Sequence, residues 1–192
     1  ATKRKPATPK KIGSIPTQNN EELKQTNKIK VAIPLLEPLD LKNKDVTADA
    51  LLVHRFFADY LVTQRQAHYH FTVKGNQKGL LQDVALFFQD RQEPQFVQYT
   101  PPDHGRIEIR KIWTTTELND YLDFPHVGQA FVVERHRIVK KTGKRSCEVA
   151  YGITSRTPEQ ADPQRLLLIN RGHWTMENSC HHILDWDYDE DR

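Results

Sequence analysis

The stretch from Lys44 to Asp90, "KDVTADALLVHRFFADYLVTQRQAHYHFTVKGNQKGLLQDVALFFQD", constrains the fold more than any other, because its hydrophobic period changes repeatedly. It reads as a short strand ending at Asp49, a helix, an alternating strand, a tight turn at Gly75 and a second helix. In the first helix Leu51, Leu52, Phe56, Phe57, Tyr60 and Leu61 form an apolar stripe. In the following strand His70, Thr72 and Lys74 alternate with Phe71 and Val73. A β-α-β order of this kind implies two parallel strands joined by a crossover helix.

From about Pro94 to Ser155 the period becomes two, and "RIEIRKIWTT", "QAFVVERHRIV" and "SCEVAYGIT" read as strands, the last two joined by a "KKTGKR" turn. Helical spacing returns from residue 156 onward. There Thr157 and Pro158 have the chemistry of a cap and a first helical position. Upstream, "TNKIKVAIPLLEPLDL" is expected to form a short helix that Pro34 breaks or starts. Residues 1–25, rich in Lys, Pro, Thr, Asn and Gln without apolar periodicity, read as an extended lead-in. The chain thus divides into 1–25, 26–93, a β-rich insertion at 94–155, and a helical part at 156–192. The fold class is α/β.

Charged residues make up 28% of the chain, and no apolar run is long enough for a membrane span or a secretory signal. The expectation is a soluble, cytoplasmic protein. Its net charge of +3 is uneven: residues 1–30 carry eight Lys or Arg against two Glu, leaving 20 against 23 in the remainder. The basic excess is therefore mostly a tail, either a solubilising segment or an aid to nucleic-acid binding. Cys147 and Cys180 have no metal-knuckle spacing and read as ordinary thiols.

Asp49 closes a strand just before a helix, a position where α/β sheets present reactive groups and also where aspartate is a routine helix cap. Glu177 lies between His173 and His181 at four-residue spacings, on a helix face continuing to Asp185. A strand-end aspartate, a β-rich insertion and a glutamate on a late helix together suit a two-metal phosphoryl-transfer site. Hard oxygen donors of this kind point to Mg2+ or Mn2+. A zinc site from His173, Glu177 and His181 is the rival, but the two histidines are about 12 Å apart along a helix, too far for one tetrahedral ion. "HGRIEIRKIW" adds Arg106 and Arg110 beside Trp113, a basic and aromatic strand suited to phosphates and bases, or simply a solvated face over an isoleucine row.

The motifs "TNKI", "AIPLL", "VTADAL", "HYHFTVKGNQKGLL", "HGRIEIRKI", "AYGITS" and "RGHWTMENSCHHILDWDYDED" occur in one order across roughly residues 26–192. In this the chain resembles bacterial insertion-sequence transposases of the H-repeat-associated type. The resemblance implies an RNase H-like core, interrupted by a β-rich insertion, that cuts and rejoins transposon DNA with Mg2+ through a DDE carboxylate triad. Asp49 matches the second acid and Glu177 the third, both as metal ligands. Lys74 lies in the matching "KGNQ", and Arg171 and Trp174 surround the glutamate. With Arg106 and Arg110 these are the expected DNA contacts, to transposon ends and target.

Nothing in the chain matches the family's first acid, and relatives continue beyond "DEDR". The expectation is a fragment inactive on its own, with an unpaired sheet edge inviting self-association. A noncatalytic DNA-binding remnant is the alternative.

Overall fold

The structure is a computed structural model and describes residues 29–48, 50–103 and 105–176. Its centre is a six-stranded mixed sheet in the order β1-β2-β6-β5-β4-β3. The strands are β1 (Asp45–Ala48), β2 (His68–Val73), β3 (Phe96–Asp103), β4 (Arg106–Thr115), β5 (Gln129–Val139) and β6 (Arg145–Thr154). β1 and β2 are parallel, as their β-α-β spacing requires, and every other pairing is antiparallel. The period-two segment thus continues the sheet of the parallel pair, joining it where β6 lies along β2. Among the described residues four α-helices accompany the strands: α1 over residues 29–36, α2 (Arg55–Asp59), α3 (Lys78–Phe87) and α4 (Pro163–Met176).

Three of these elements depart from the sequence expectation, each for a local reason. β3 carries Pro101 and Pro102, which hid it, yet it forms an edge of the sheet where a missing amide donor is tolerated. α1 runs through Pro34 instead of stopping there, because Ile29 is buried and Ile33 and Leu36 pack on the core. The helix after β1 is divided into a 3-10 turn at Ala50–Leu52, α2, and a π-helical turn at Tyr60–Gln64. In that last turn the Thr63 hydroxyl donates to the Asp59 carbonyl at 2.7 Å, and the Arg65 amide reaches back to Tyr60 at 3.2 Å. The shifted phase buries Phe57, Tyr60 and Leu61 together and leaves Phe56, a member of the expected stripe, 56% exposed.

The cap at Thr157 and Pro158 is also corrected. Those residues open a turn closed by Gln160 and Ala161 amides donating to the Thr157 carbonyl. The helix begins five residues later, where Asp162 Oδ1 accepts from the Arg165 amide at 2.7 Å and Pro163 takes the first helical position.

Both faces of the sheet are covered. α2, its π-helical extension, α3 and the loop bearing Leu118, Leu122 and Phe124 bury one face around Tyr69, Phe71, Val73, Val132 and Ile153. On the other face Leu166, Leu167 and Ile169 of α4 pack on Ile112, Phe131 and Val133. The polar alternates of β2 are therefore not solvated as a half-exposed strand would have them, since His70 is buried with Phe71. Phe131 reaches across Gly152 to stack on the His70 ring, with centroids 4.4 Å apart. A Cβ at Gly152 would intrude on the Phe131 ring and come within 2.6 Å of the Phe71 carbonyl oxygen. Gly152→Ala is expected to lower stability by about 2 kcal/mol, read as a lower urea midpoint at unchanged slope.

Candidate functional site

β2 leaves the sheet at Val73, and the "KGNQ" residues turn the chain sharply into α3. The two amides of this turn reach backward: Asn76 Nδ2 donates to the Ala50 carbonyl at 2.6 Å and Gln77 Nε2 to the Val53 carbonyl at 2.8 Å. They tie down the segment that follows β1 and so hold the backbone on the far side of Asp49. In the sequence these residues stand out only as part of the "KGNQ" motif. Their carboxamide chemistry, two donors free to satisfy the carbonyls of an irregular segment, was the available signal for a bracing role.

β4, β5 and β6 run on for about six residues, or about 20 Å, beyond the end of β2 and make a projecting arm. A cleft of about 530 Å3 lies where this arm meets the end of β2 and the side of α4. Lys74, Arg110, Arg135, Glu148, Asn170 and Arg171 line it. Arg110, Arg135 and Glu148 are cross-strand neighbours, as are Glu108 and Arg137 one step farther out. Glu108 holds three guanidinium groups: Arg110 at 2.5 Å, Arg135 at 2.7 Å and Arg137 at 3.2 Å. Burial alone would push the Glu108 carboxyl up, but the Arg135 hydrogen bond and the flanking arginine charges hold it below its usual range. Arg110 is pushed down by burial, against Glu108, with Arg171 and Arg135 adding repulsion. Arg171 donates to Gln98 Oε1 at 2.8 Å, and Asn170, 97% buried, has no hydrogen-bond partner for Nδ2 among the described residues. Lys74 and three arginines line the cleft against one glutamate, so it keeps a positive excess.

α4 is anchored at its start by Asp45, whose two carboxylate oxygens accept from Arg156 Nε at 2.6 Å and Arg165 Nη2 at 3.1 Å. Two turns later His173 lies near enough to His70, the neighbour of Thr47 in β1, for its charge to act there. The Asp45 ion pair and this longer-range interaction set α4 along β1 in the same direction. Burial pushes the His70 imidazole down to about 3, opposed by Asp45 and assisted by His173. Neither ring nitrogen of His70 has a hydrogen-bond partner among the described residues.

Of the residues singled out from sequence, Lys74, Arg110 and Arg171 meet at this cleft. Arg106 stands exposed near the tip of the arm, four residues farther along β4 than Arg110. Asp49, Glu177, His181, Cys180 and the Trp174 side chain lie outside the described residues. Arg135 and Asn170 were not anticipated. Arg135 sits in the alternating "QAFVVERHRIV" strand, where its phase matches the inward-facing Phe131 and Val133, and that phase was the signal that marked it.

The residues from 18 to 192 match the model of the transposase DDE domain, and the chain belongs to that family. Among curated relatives it is 34% identical to a protein described as "Uncharacterized protein in dhlA 3'region" from Xanthobacter autotrophicus, over 72% of this chain and 47% of the relative. It is 28% identical to "Putative protein YbfL" and 27% identical to "H repeat-associated putative transposase YhhI", both from Escherichia coli K12. Each match covers 94% of this chain and 48% of the relative. The chain spans about half the length of the curated relatives it matches. No solved structure matches it. Among the described residues no helix is long and apolar enough to cross a membrane.

A buried neutral histidine makes stability depend on pH. Unfolded, His70 takes up a proton near its ordinary value of 6.5, whereas folded it does so only near about 3. Between these values the unfolded chain binds the extra proton, so stability falls as pH drops from about 6.5 toward about 3, by up to about 1.4 kcal/mol per pH unit. His70→Leu is expected to flatten that dependence in urea titrations across this range. An unchanged slope would show that His70 is protonated in the folded state.

Proposed function

We propose that this chain is part of an insertion-sequence transposase with an RNase H-like core that cleaves DNA and joins its ends by phosphoryl transfer. Asp49 and Glu177 serve as two of the catalytic acids. The observation that carries the reading is the cationic cleft. It gathers Lys74, Arg110 and Arg171 at the carboxyl end of the parallel strands, where α/β sheets commonly hold their ligands.

The acids fit a hard divalent cation by their donor chemistry, since both offer carboxylate oxygen. Asp49 follows Ala48, the last residue of β1, and Glu177 follows Met176, the last described residue of α4. Because α4 and β1 run in the same direction, the two segments leading to these acids end toward the same side of the sheet. Mg2+ or Mn2+ bound there would supply charge neutralisation at the phosphodiester and a more acidic water.

The chain's own residues do the rest. Arg110, Arg171 and Lys74 grip backbone phosphates, with Arg106 extending the contact along the arm. Asn76 and Gln77 hold the segment after Asp49 through the Ala50 and Val53 carbonyls. Domain limits follow the same reading: a core over 26–93 and 156–192, with 94–155 as the insertion that carries the arginine rows.

Two measurements test this. Binding of the chain to duplex DNA is expected to weaken about tenfold in a Lys74→Ala, Arg171→Ala double variant, with the slope of log affinity against log salt falling by about two. Mn2+ binding, followed by the loss of its free-ion electron paramagnetic resonance signal, is expected to weaken at least tenfold in both Asp49→Asn and Glu177→Gln. Plasmid nicking by the chain alone is expected to be absent. DNA binding that ignores the salt and the double variant would overturn the cleft assignment. Retained Mn2+ binding in both acid variants would leave only a noncatalytic DNA-binding role.

A further inference from the structure

We infer that Glu134, His136 and Cys147, on the face of the arm opposite the cationic cleft, form a binding site for a borderline-soft divalent cation, best matched by Zn2+. The inference is independent of the transposase reading, because none of these residues lines the cleft and none is among the proposed catalytic acids.

The site follows from strand geometry. His136 of β5 and Cys147 of β6 are directly opposed in the antiparallel ladder, and Glu134 lies two residues from His136, so all three side chains emerge on one face. His136 Nε2 is 2.9 Å from Glu134 Oε2 and 3.9 Å from Cys147 Sγ, and one ligand atom from each residue lies within 4.8 Å of the others. Around a tetrahedral zinc ion, with bonds of about 2.0–2.3 Å, such atoms stand about 3.3–3.6 Å apart. The two spacings at His136 need to change by only a few tenths of an ångström, and the Glu134–Cys147 spacing, within 4.8 Å, closes by a rotation of the exposed Cys147 side chain. A chance cluster on flexible loops would have no such preset spacing, whereas here two adjacent strands fix it.

The surroundings add a supporting shell. Arg91 pairs with the other oxygen of Glu134, donates to the Phe88 carbonyl at 2.9 Å and lies over the Trp113 ring, 5.0 Å from its centroid. It therefore turns Glu134 Oε2 toward His136, the task that outer-shell groups perform at metal sites. Cys147 is exposed and the His136 side chain is about one-third exposed, which leaves a fourth position open to water or to a partner group. Imidazole and thiolate are poor ligands for Mg2+, so this site and a carboxylate pair would select different ions from one solution. Binding exchanges the Cys147 thiol proton, released to solvent, for a metal–sulfur bond. Burial and then Glu134 push that thiol up, while Arg91 and Lys111 oppose them, so the proton stays on until a cation replaces it.

The test is a titration of the reduced, metal-free chain with Co2+, a spectroscopic substitute for Zn2+, followed by competition with Zn2+. One equivalent of Co2+ is expected to give a sulfur-to-cobalt charge-transfer band that Zn2+ abolishes. Cys147→Ser should lose the band, His136→Gln should weaken binding at least tenfold, and Cys180→Ser should keep both band and affinity. A band that survives Cys147→Ser, or one lost in Cys180→Ser, would assign the thiolate elsewhere and overturn the proposal. So would the absence of any saturable Co2+ or Zn2+ binding at micromolar concentrations.

Discussion

The sheet is held together as one unit by a contact that skips a strand. Gly152 of β6 leaves a gap through which Phe131 of β5 reaches His70 of β2, so the parallel pair and the antiparallel arm are fastened beneath α4. Any side chain at Gly152 would hold the rings apart. The stack carries a cost as well as a gain, because it encloses an imidazole whose ring nitrogens have no described partner. Burial keeps that imidazole neutral, and α4 packs Leu166, Leu167 and Ile169 on its stacking partner Phe131. The helix that leads to Glu177 is thus seated on the least forgiving part of the core.

Once α4 is seated there, electrostatics decide the rest of the surface. Asp45 fixes its first turn through Arg156 and Arg165, and the side of its third turn meets the arm at Arg110 and Arg135. The arm would repel itself if its arginines faced only each other. Glu108 and Glu148 interrupt the row, bringing guanidinium groups close enough to form a surface without neutralising it. Such a row exchanges part of its internal pairing for a polyanion at modest cost, because its charges are partly solvated. The opposite face of the same arm carries a different chemistry, with Glu134, His136 and Cys147 brought together by the same ladder.

Much of the architecture was legible from residue order. The β-α-β run, the strands over 106–115 and 129–139 and the turn between β5 and β6 follow from period and turn chemistry. β3 was not legible, because Pro101 and Pro102 remove donors that only an edge position can spare. Nor was the π-helical turn after α2, since Thr63 competes for a carbonyl in a way that helical periodicity does not register. At the cleft, Lys74, Arg110 and Arg171 are residues that the sequence singles out as expected DNA contacts. Asn170 is not among them, because an asparagine inside an amphipathic helix looks like an ordinary surface residue, and Arg135 is marked only by sharing the phase of Phe131 and Val133.

By itself the sequence determined most element types, the parallel pair with its crossover, and the family, because period, turn residues and ordered motifs are local properties of the chain. Tertiary structure alone decided which charges share a cleft, that "KGNQ" braces the segment after Asp49, and that a histidine, a cysteine and a glutamate stand within reach of one ion. Those outcomes depend on strand register and on the path of α4 across the sheet. Both are set by long-range burial around Gly152, Phe131 and His70, and no short window of the chain contains that information.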